Sequence, residues 1–119
     1  SGSGRRAYLS GRAAEAGVLR AYERRGVTAL HQRWRGQSGE IDMILRAPDT
    51  YVFCEVKQAA TFDLAIERLH QGQMRRIHAA ASEYLGLLPE GQLASVRFDL
   101  GIVDGRGDVR ILENAFGHF

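Results

Sequence analysis

Two apolar or β-branched runs, Glu40 to Arg46 and Tyr51 to Lys57, flank the turn-forming residues Ala47-Pro48-Asp49-Thr50, a pattern that predicts a β-hairpin. If Arg46 faces Tyr51, paired residue numbers sum to a constant, so Asp42 faces Glu55 and Glu40 faces Lys57. Strand side chains alternate. Ile41, Met43 and Leu45 then join Val52, Cys54 and Val56 on an apolar face, leaving four ionisable residues on the other. Upstream, a helix is expected from about Arg6 to Arg25, stopped by Gly26, with Gly11, Glu15, Val18, Leu19 and Tyr22 at helical spacing. A strand follows over Val27 to Arg35, with Leu30 and Trp34 on one face, and Gly36-Gln37-Ser38-Gly39 turns it into the hairpin.

Beyond Lys57, Asp63 can cap a short helical segment beginning near Leu64, interrupted at His70-Gln71-Gly72. From Gln73 the stripe Met74, Ile77, Ala81, Tyr84 and Leu85 predicts a helix ending near Gly86. Val96 to Val103 and Asp108 to Leu112 read as strands joined by Asp104-Gly105-Arg106-Gly107. Because a helical crossover joins the third and fourth strands, those two should be parallel. The expected architecture is α/β, in the order αβββαββ, with helices flanking a mixed central sheet.

Opposed side chains on an antiparallel pair lie close enough for like charges to repel, so Asp42 against Glu55 is costly unless positive charge sits between them. A divalent cation supplies it: Mg²⁺ is held by one or two carboxylates plus waters and phosphate oxygens. Lys57, two residues beyond Glu55 on the same face, could then orient a water or offset developing phosphoryl charge. The bland alternative is a solvated strand face carrying a salt bridge. Composition bears on the choice, since Lys57 is the only lysine and the other fifteen of sixteen basic positions are arginine. A compact ammonium kept against that bias suggests a task that a planar guanidinium cannot perform.

Glu15 falls on the apolar stripe of its helix, either at the edge and reaching water or directed to the acidic face. Trp34, between Arg33 and Arg35, could stack on a base or sit in the core with its rim exposed. Gln73, Arg75, Arg76 and His78 are either an ordinary solvated face or an edge that contacts phosphate. Arg97 and Asp99 share one face of their strand as polar structural residues. His31 carries no evident chemistry, and His70 and His78 lack the spacing of a zinc site.

The run Gly39-Glu40-Ile41-Asp42 followed by Glu55-Val56-Lys57, with Gly11 and Glu15 upstream, resembles the YraN-type family of small uncharacterised proteins. Through it the chain resembles the PD-(D/E)XK, restriction-endonuclease-like nuclease superfamily, which includes the archaeal Holliday-junction resolvases. Arg75-Arg76-Ile77, Ala81, Tyr84-Leu85, Arg97-Phe98-Asp99 and Asn114-Ala115-Phe116 extend the likeness over residues 8 to 116. The resemblance implies a restriction-endonuclease-like fold and a helix-borne Glu15 near the metal site. Two positions depart from the family pattern: Ala59 stands where a basic residue is common, and Gln73 where a lysine is usual. Both remove positive charge near the presumed phosphate path.

The chain's 119 residues suit one domain, with Ser1-Gly2-Ser3-Gly4 expected to be a cloning scar and residues 5–119 the domain itself. A net charge of +2 permits an anionic partner without demanding one. Cys54, the only cysteine, excludes an intrachain disulfide and reads as a buried thiol. The absence of an apolar stretch able to span a bilayer makes the cytoplasm the default expectation and argues against a membrane partner.

The combined expectation is a metal-dependent phosphodiesterase, an endonuclease acting on nucleic acid, with DNA first. Its cofactor is Mg²⁺ or Mn²⁺. Lys57, Asp42, Glu55 and Glu15 form the catalytic set; Asp42, Glu55, the Val56 carbonyl and Glu40 hold the metal; Gln73, Arg75 and Arg76 meet substrate. Cutting two strands symmetrically would require a homodimer. The alternative is a non-catalytic nucleic-acid-binding or protein-interaction module that retains the fold. A small-phosphoester hydrolase is a third possibility, but no Gly-rich phosphate cradle supports it.

Overall fold

The computed structural model describes residues 11–116, so the expected helical start at Arg6 and the N-terminal scar lie outside the described residues. Helix α1 (Gly11–Glu23) leads through Gly26, whose φ of +75° lets the chain reverse, into β1 (Thr28–Arg35). The hairpin β2 (Glu40–Ala47) and β3 (Thr50–Gln58) follows, then α2 (Phe62–Glu67) and α3 (Gln71–Leu85). A 3₁₀ turn at Gly91–Leu93 precedes β4 (Val96–Val103) and β5 (Val109–Leu112). The sheet has five strands in the order β1-β2-β3-β4-β5, antiparallel except for the parallel pair β3–β4. This is the mixed α/β arrangement expected of a restriction-endonuclease-like core. Among the described residues, no helix is long and apolar enough to cross a membrane.

The two faces of the sheet are covered by different helices, and that corrects the expectation of one apolar and one charged face. Met43, Leu45, Val52 and Cys54 pack under Ala14, Val18 and Tyr22 of α1, with Val56 alongside. Ile44 and Phe53, on the opposite face, pack under Ile77, Ala80, Ala81 and Tyr84 of α3. Ile41 joins this second cluster instead of following Met43 and Leu45. The acids therefore stand at the end of a covered face. They do not lie on an open one.

Several boundaries differ for local reasons. The Thr61 hydroxyl, and not Asp63, caps α2 by accepting the Leu64 amide at 3.2 Å. Gln71 and Gly72 belong to α3, which begins after His70. Leu30 is the extra residue of a bulge between the pairs Ala29–Leu45 and His31–Ile44, is 41% exposed, and does not share Trp34's environment. Trp34 packs edge-on to Tyr84 with ring centroids 5.5 Å apart, partly buried against the core. His31 meets the same ring edge-on at 5.4 Å. His78, expected on the solvated side of α3 with Arg75 and Arg76, instead stacks on Phe98 at 3.9 Å and bonds the Phe116 carbonyl oxygen at 2.8 Å.

One polar network ties α1 to the far strands. Asp99 is fully buried, accepting the Tyr22 hydroxyl at 2.7 Å and the Asn114 amide at 2.8 Å, with Arg97 Nε at 3.1 Å. A buried carboxylate with this many donors is offset, whereas an unpaired one would cost several kcal/mol, on the order of 3–5. Burial pushes the Tyr22 hydroxyl far above its ordinary value, and the Cys54 thiol likewise, which leaves both protonated.

Helix α1 approaches β4 closely only because Gly101 has no side chain. A Cβ there would lie 2.8 Å from Val18 Cγ1 and 3.2 Å from Cys54 Sγ. Gly101→Ala is expected to destabilise the fold by about 1–3 kcal/mol, measured by urea denaturation. An unchanged midpoint would mean that α1 does not pack at this distance.

A candidate acidic metal centre

The hairpin register follows the expected sum through Arg46–Tyr51, Leu45–Val52, Ile44–Phe53 and Met43–Cys54, with Ala47 and Thr50 closing a turn of Pro48 and Asp49. Past Met43–Cys54 the strands part. β3 continues beside β4 as far as the pair Gln58–Val103, while β2 stays with β1 through Trp34–Ile41 and Arg35–Glu40. Asp42 bridges the fork: its Oδ2 accepts the Val56 amide at 2.8 Å, replacing a ladder hydrogen bond with a side-chain one. Glu40 consequently does not face Lys57; it pairs with Arg35 at 3.1 Å.

Glu55, 6% exposed, is turned to the same fork. Its Oε2 accepts from Gln73 Nε2 of α3 and lies 3.3 Å from Lys57 Nζ. Burial, then the facing Asp42 carboxyl, pushes the Glu55 carboxyl up to about 8, although Lys57 acts in the opposite direction. At neutral pH the Glu55 carboxyl is thus largely protonated, as expected of a buried acid facing a like charge. Gly39, Glu40, Asp42, Glu55, Gln73, Arg76 and Ile77 line the cleft over this pair, a cavity of about 220 Å³.

The cleft's outer wall is set by the turn between β1 and β2. Glu83 of α3 accepts the Gln37 amide at 2.8 Å and the Ser38 amide at 2.6 Å, and the Ser38 hydroxyl with these amides holds its carboxyl below the usual range. Gly39 has φ +148°, which disfavours any side chain, and its backbone passes beside Arg76. The sequence offered no periodic signal for Glu83, because its partners are backbone amides.

Glu15 is buried and ion-paired with Arg33 at 3.1 Å, and it is not among the residues lining the cleft. Arg33, with φ +56°, falls level with Asp42 on the neighbouring strand, between the pairs Gln32–Met43 and Trp34–Ile41. The structure brings together Asp42, Glu55, Lys57, Gln73, Arg76 and Glu40. It leaves Glu15 with Arg33, the neighbour of Trp34 in the chain.

Among the described residues, no three or more His, Cys, Asp or Glu side chains gather to hold a metal ion. The donors here are two carboxyls, each with one oxygen, Asp42 Oδ1 and Glu55 Oε1, outside the hydrogen bonds just described. That set fits a cation that takes few protein ligands, as Mg²⁺ does, and the raised Glu55 carboxyl facing Asp42 marks where positive charge is needed.

The model of the uncharacterised protein family UPF0102 matches residues 14–103. The chain belongs to this family. A UPF0102 protein of Ruegeria pomeroyi is 55% identical over 115 residues, covering 97% of this chain and 94% of the relative. A UPF0102 protein of Roseobacter denitrificans is 48% identical over 113 residues, covering 95% and 88%. One from Cereibacter sphaeroides is 47% identical over 114 residues, covering 96% and 97%. For this UPF0102 member the matched span runs from α1 to the end of β4, and so includes every residue of the cleft.

The raised Glu55 carboxyl makes stability depend on pH. Below its ordinary value of 4.5 it is protonated in both folded and unfolded chains; between 4.5 and about 8 only the unfolded chain ionises. Stability should therefore fall as pH rises through this window, by at most about 1.4 kcal/mol per pH unit from this group. In metal-free buffer, Glu55→Gln is expected to gain thermal stability over the native chain progressively from pH 5 to pH 8. Parallel profiles would mean that Glu55 titrates normally.

Proposed function

We propose that this protein is a divalent-metal-dependent phosphodiesterase, an endonuclease acting on nucleic acid and first of all on DNA. The observation that carries this reading is the pair of facing carboxyls at the strand fork, Glu55 buried and Asp42 half-buried, with an ammonium in contact with Glu55. The resemblance to PD-(D/E)XK nucleases supports it, as does the αβββαββ order. A cation of the Mg²⁺ or Mn²⁺ kind, held by Asp42, Glu55 and the Val56 carbonyl beside an Arg35-paired Glu40, would supply Lewis acidity and offset phosphate charge.

The chain's own residues divide the remaining work. Lys57 sits beside Glu55, next to the residues that line the cleft, where it orients a water for attack and stabilises charge that grows on the phosphoryl oxygens. Arg76, which makes no ion pair among the described residues, offers its guanidinium to a phosphate entering the cleft, with Arg75 next to it on α3. Gln73 fixes the Glu55 carboxyl. Glu15 keeps Arg33 in place and acts at one remove. A homodimer would present two such clefts to two strands. The free, buried thiol of Cys54 suits the reducing cytoplasm.

The test is incubation of the full chain with linear, nicked, flapped and four-way DNAs in Mg²⁺ or Mn²⁺, alongside thermal denaturation. Cleavage is expected, with a loss of at least about 100-fold in Asp42→Asn and in Lys57→Ala that Lys57→Arg does not restore. The cations should raise thermal stability, and Asp42→Asn or Glu55→Gln should abolish the rise. Salt-sensitive DNA association with neither cleavage nor a cation effect would leave a non-catalytic binding module instead.

A further inference from the structure

Each member of the acidic pair has one oxygen held by a donor of the protein. Asp42 Oδ2 is committed to the Val56 amide at 2.8 Å, and Glu55 Oε2 accepts from Gln73 and lies 3.3 Å from Lys57 Nζ. The donors differ in kind. The amide belongs to the backbone, and Lys57 swings on a four-carbon stem. Gln73 projects from α3, a helix anchored by Ile77, Ala80, Ala81 and Tyr84 in the core beneath Ile44 and Phe53. Of the two side chains that meet Glu55 Oε2, Gln73 is therefore the one held from a packed helix.

We propose that Gln73 is a specificity-determining positioning residue: by engaging Glu55 Oε2 it restricts the centre to one oxygen from each acid and selects Mg²⁺ or Mn²⁺ over Ca²⁺. This rests on the reading that the acidic pair holds a divalent cation. The selection follows from coordination chemistry. Ca²⁺ takes about six to eight oxygens at longer distances and readily uses a carboxylate through both oxygens. Mg²⁺ keeps several waters in a tight octahedron and accepts one or two carboxylates through a single oxygen each. The other two acids of the region reinforce the restriction, since Glu40 is paired with Arg35 and Glu15 with Arg33, both at 3.1 Å. A carboxyl-poor centre with single-oxygen ligands suits the smaller ion. Removing the Gln73 amide frees Glu55 to rotate and to present both oxygens.

The experiment is thermal denaturation of the full chain titrated with MgCl₂, MnCl₂ and CaCl₂, with calorimetric titration for dissociation constants and circular dichroism to verify folding. Gln73→Leu keeps the bulk without the donor, and Gln73→Ala, a better helix former, serves should the first not fold. The native chain is expected to bind Mg²⁺ and Mn²⁺ more tightly than Ca²⁺. In the variants the ratio of Ca²⁺ to Mg²⁺ dissociation constants should drop by about tenfold or more, as for the loss of a group that orients a ligand. An unchanged ratio in both variants, with Mg²⁺ still bound, overturns the role of Gln73 and leaves the metal reading intact. A native chain that binds Ca²⁺ as tightly as Mg²⁺ overturns the proposal as well. No cation binding by the native chain overturns the metal reading and this inference together.

Discussion

A buried carboxyl, Glu55, set against a half-buried one, Asp42, is the constraint on which this molecule's chemistry depends. Bringing Asp42 and Glu55 together works against stability, because burial and the facing Asp42 carboxyl both disfavour the charge on Glu55. A fold that keeps such a pair must hold it rigidly. It must also let something positive enter. A proton on Glu55 is one occupant of that role, and a divalent cation is the occupant proposed.

The rest of the architecture can be seen as the means of holding the pair. The hairpin opens after Met43–Cys54 because β3 is committed to β4 while β2 is committed to β1, and Asp42 spans the opening by taking the Val56 amide. Helix α3 covers the inner half of that face through Ile77 and Tyr84 and reaches the mouth with Gln73 and Arg76. Glu83, further along the same helix, grips the amides of the β1–β2 turn, so one helix sets both walls of the cleft. Helix α1 secures the other face and is itself fastened through Tyr22 to Asp99. The cleft is thus formed by rigid elements on both faces, which favours precise placement of its polar groups.

Much of this was legible in the chain. Counting across a short turn located the hairpin register, and with it the meeting of Asp42 and Glu55, because side-chain alternation leaves few choices once a turn is placed. The same counting failed for Glu40 and Lys57, since it assumes that a ladder continues, and the competing attachment of β2 to β1 and β3 to β4 is a tertiary matter. Ile44 and Phe53 do alternate with Met43 and Cys54 in the sequence, and giving them weight would have shown that both faces are covered. Arg33 as the partner of Glu15, and Glu83 as the anchor of a turn, depend on contacts 18 or more residues apart with no periodic trace. Gln73 was visible as a departure from the family pattern. Its hydrogen bond to Glu55 was not.

The claim that the gap between these acids is a cation site is tested most directly by crystals of the protein grown with Mn²⁺ and measured near the manganese absorption edge. An anomalous peak between Asp42 and Glu55, absent from Asp42→Asn crystals, is expected. Ordered carboxyls with no peak between them, in crystals that bind manganese elsewhere or not at all, would contradict it.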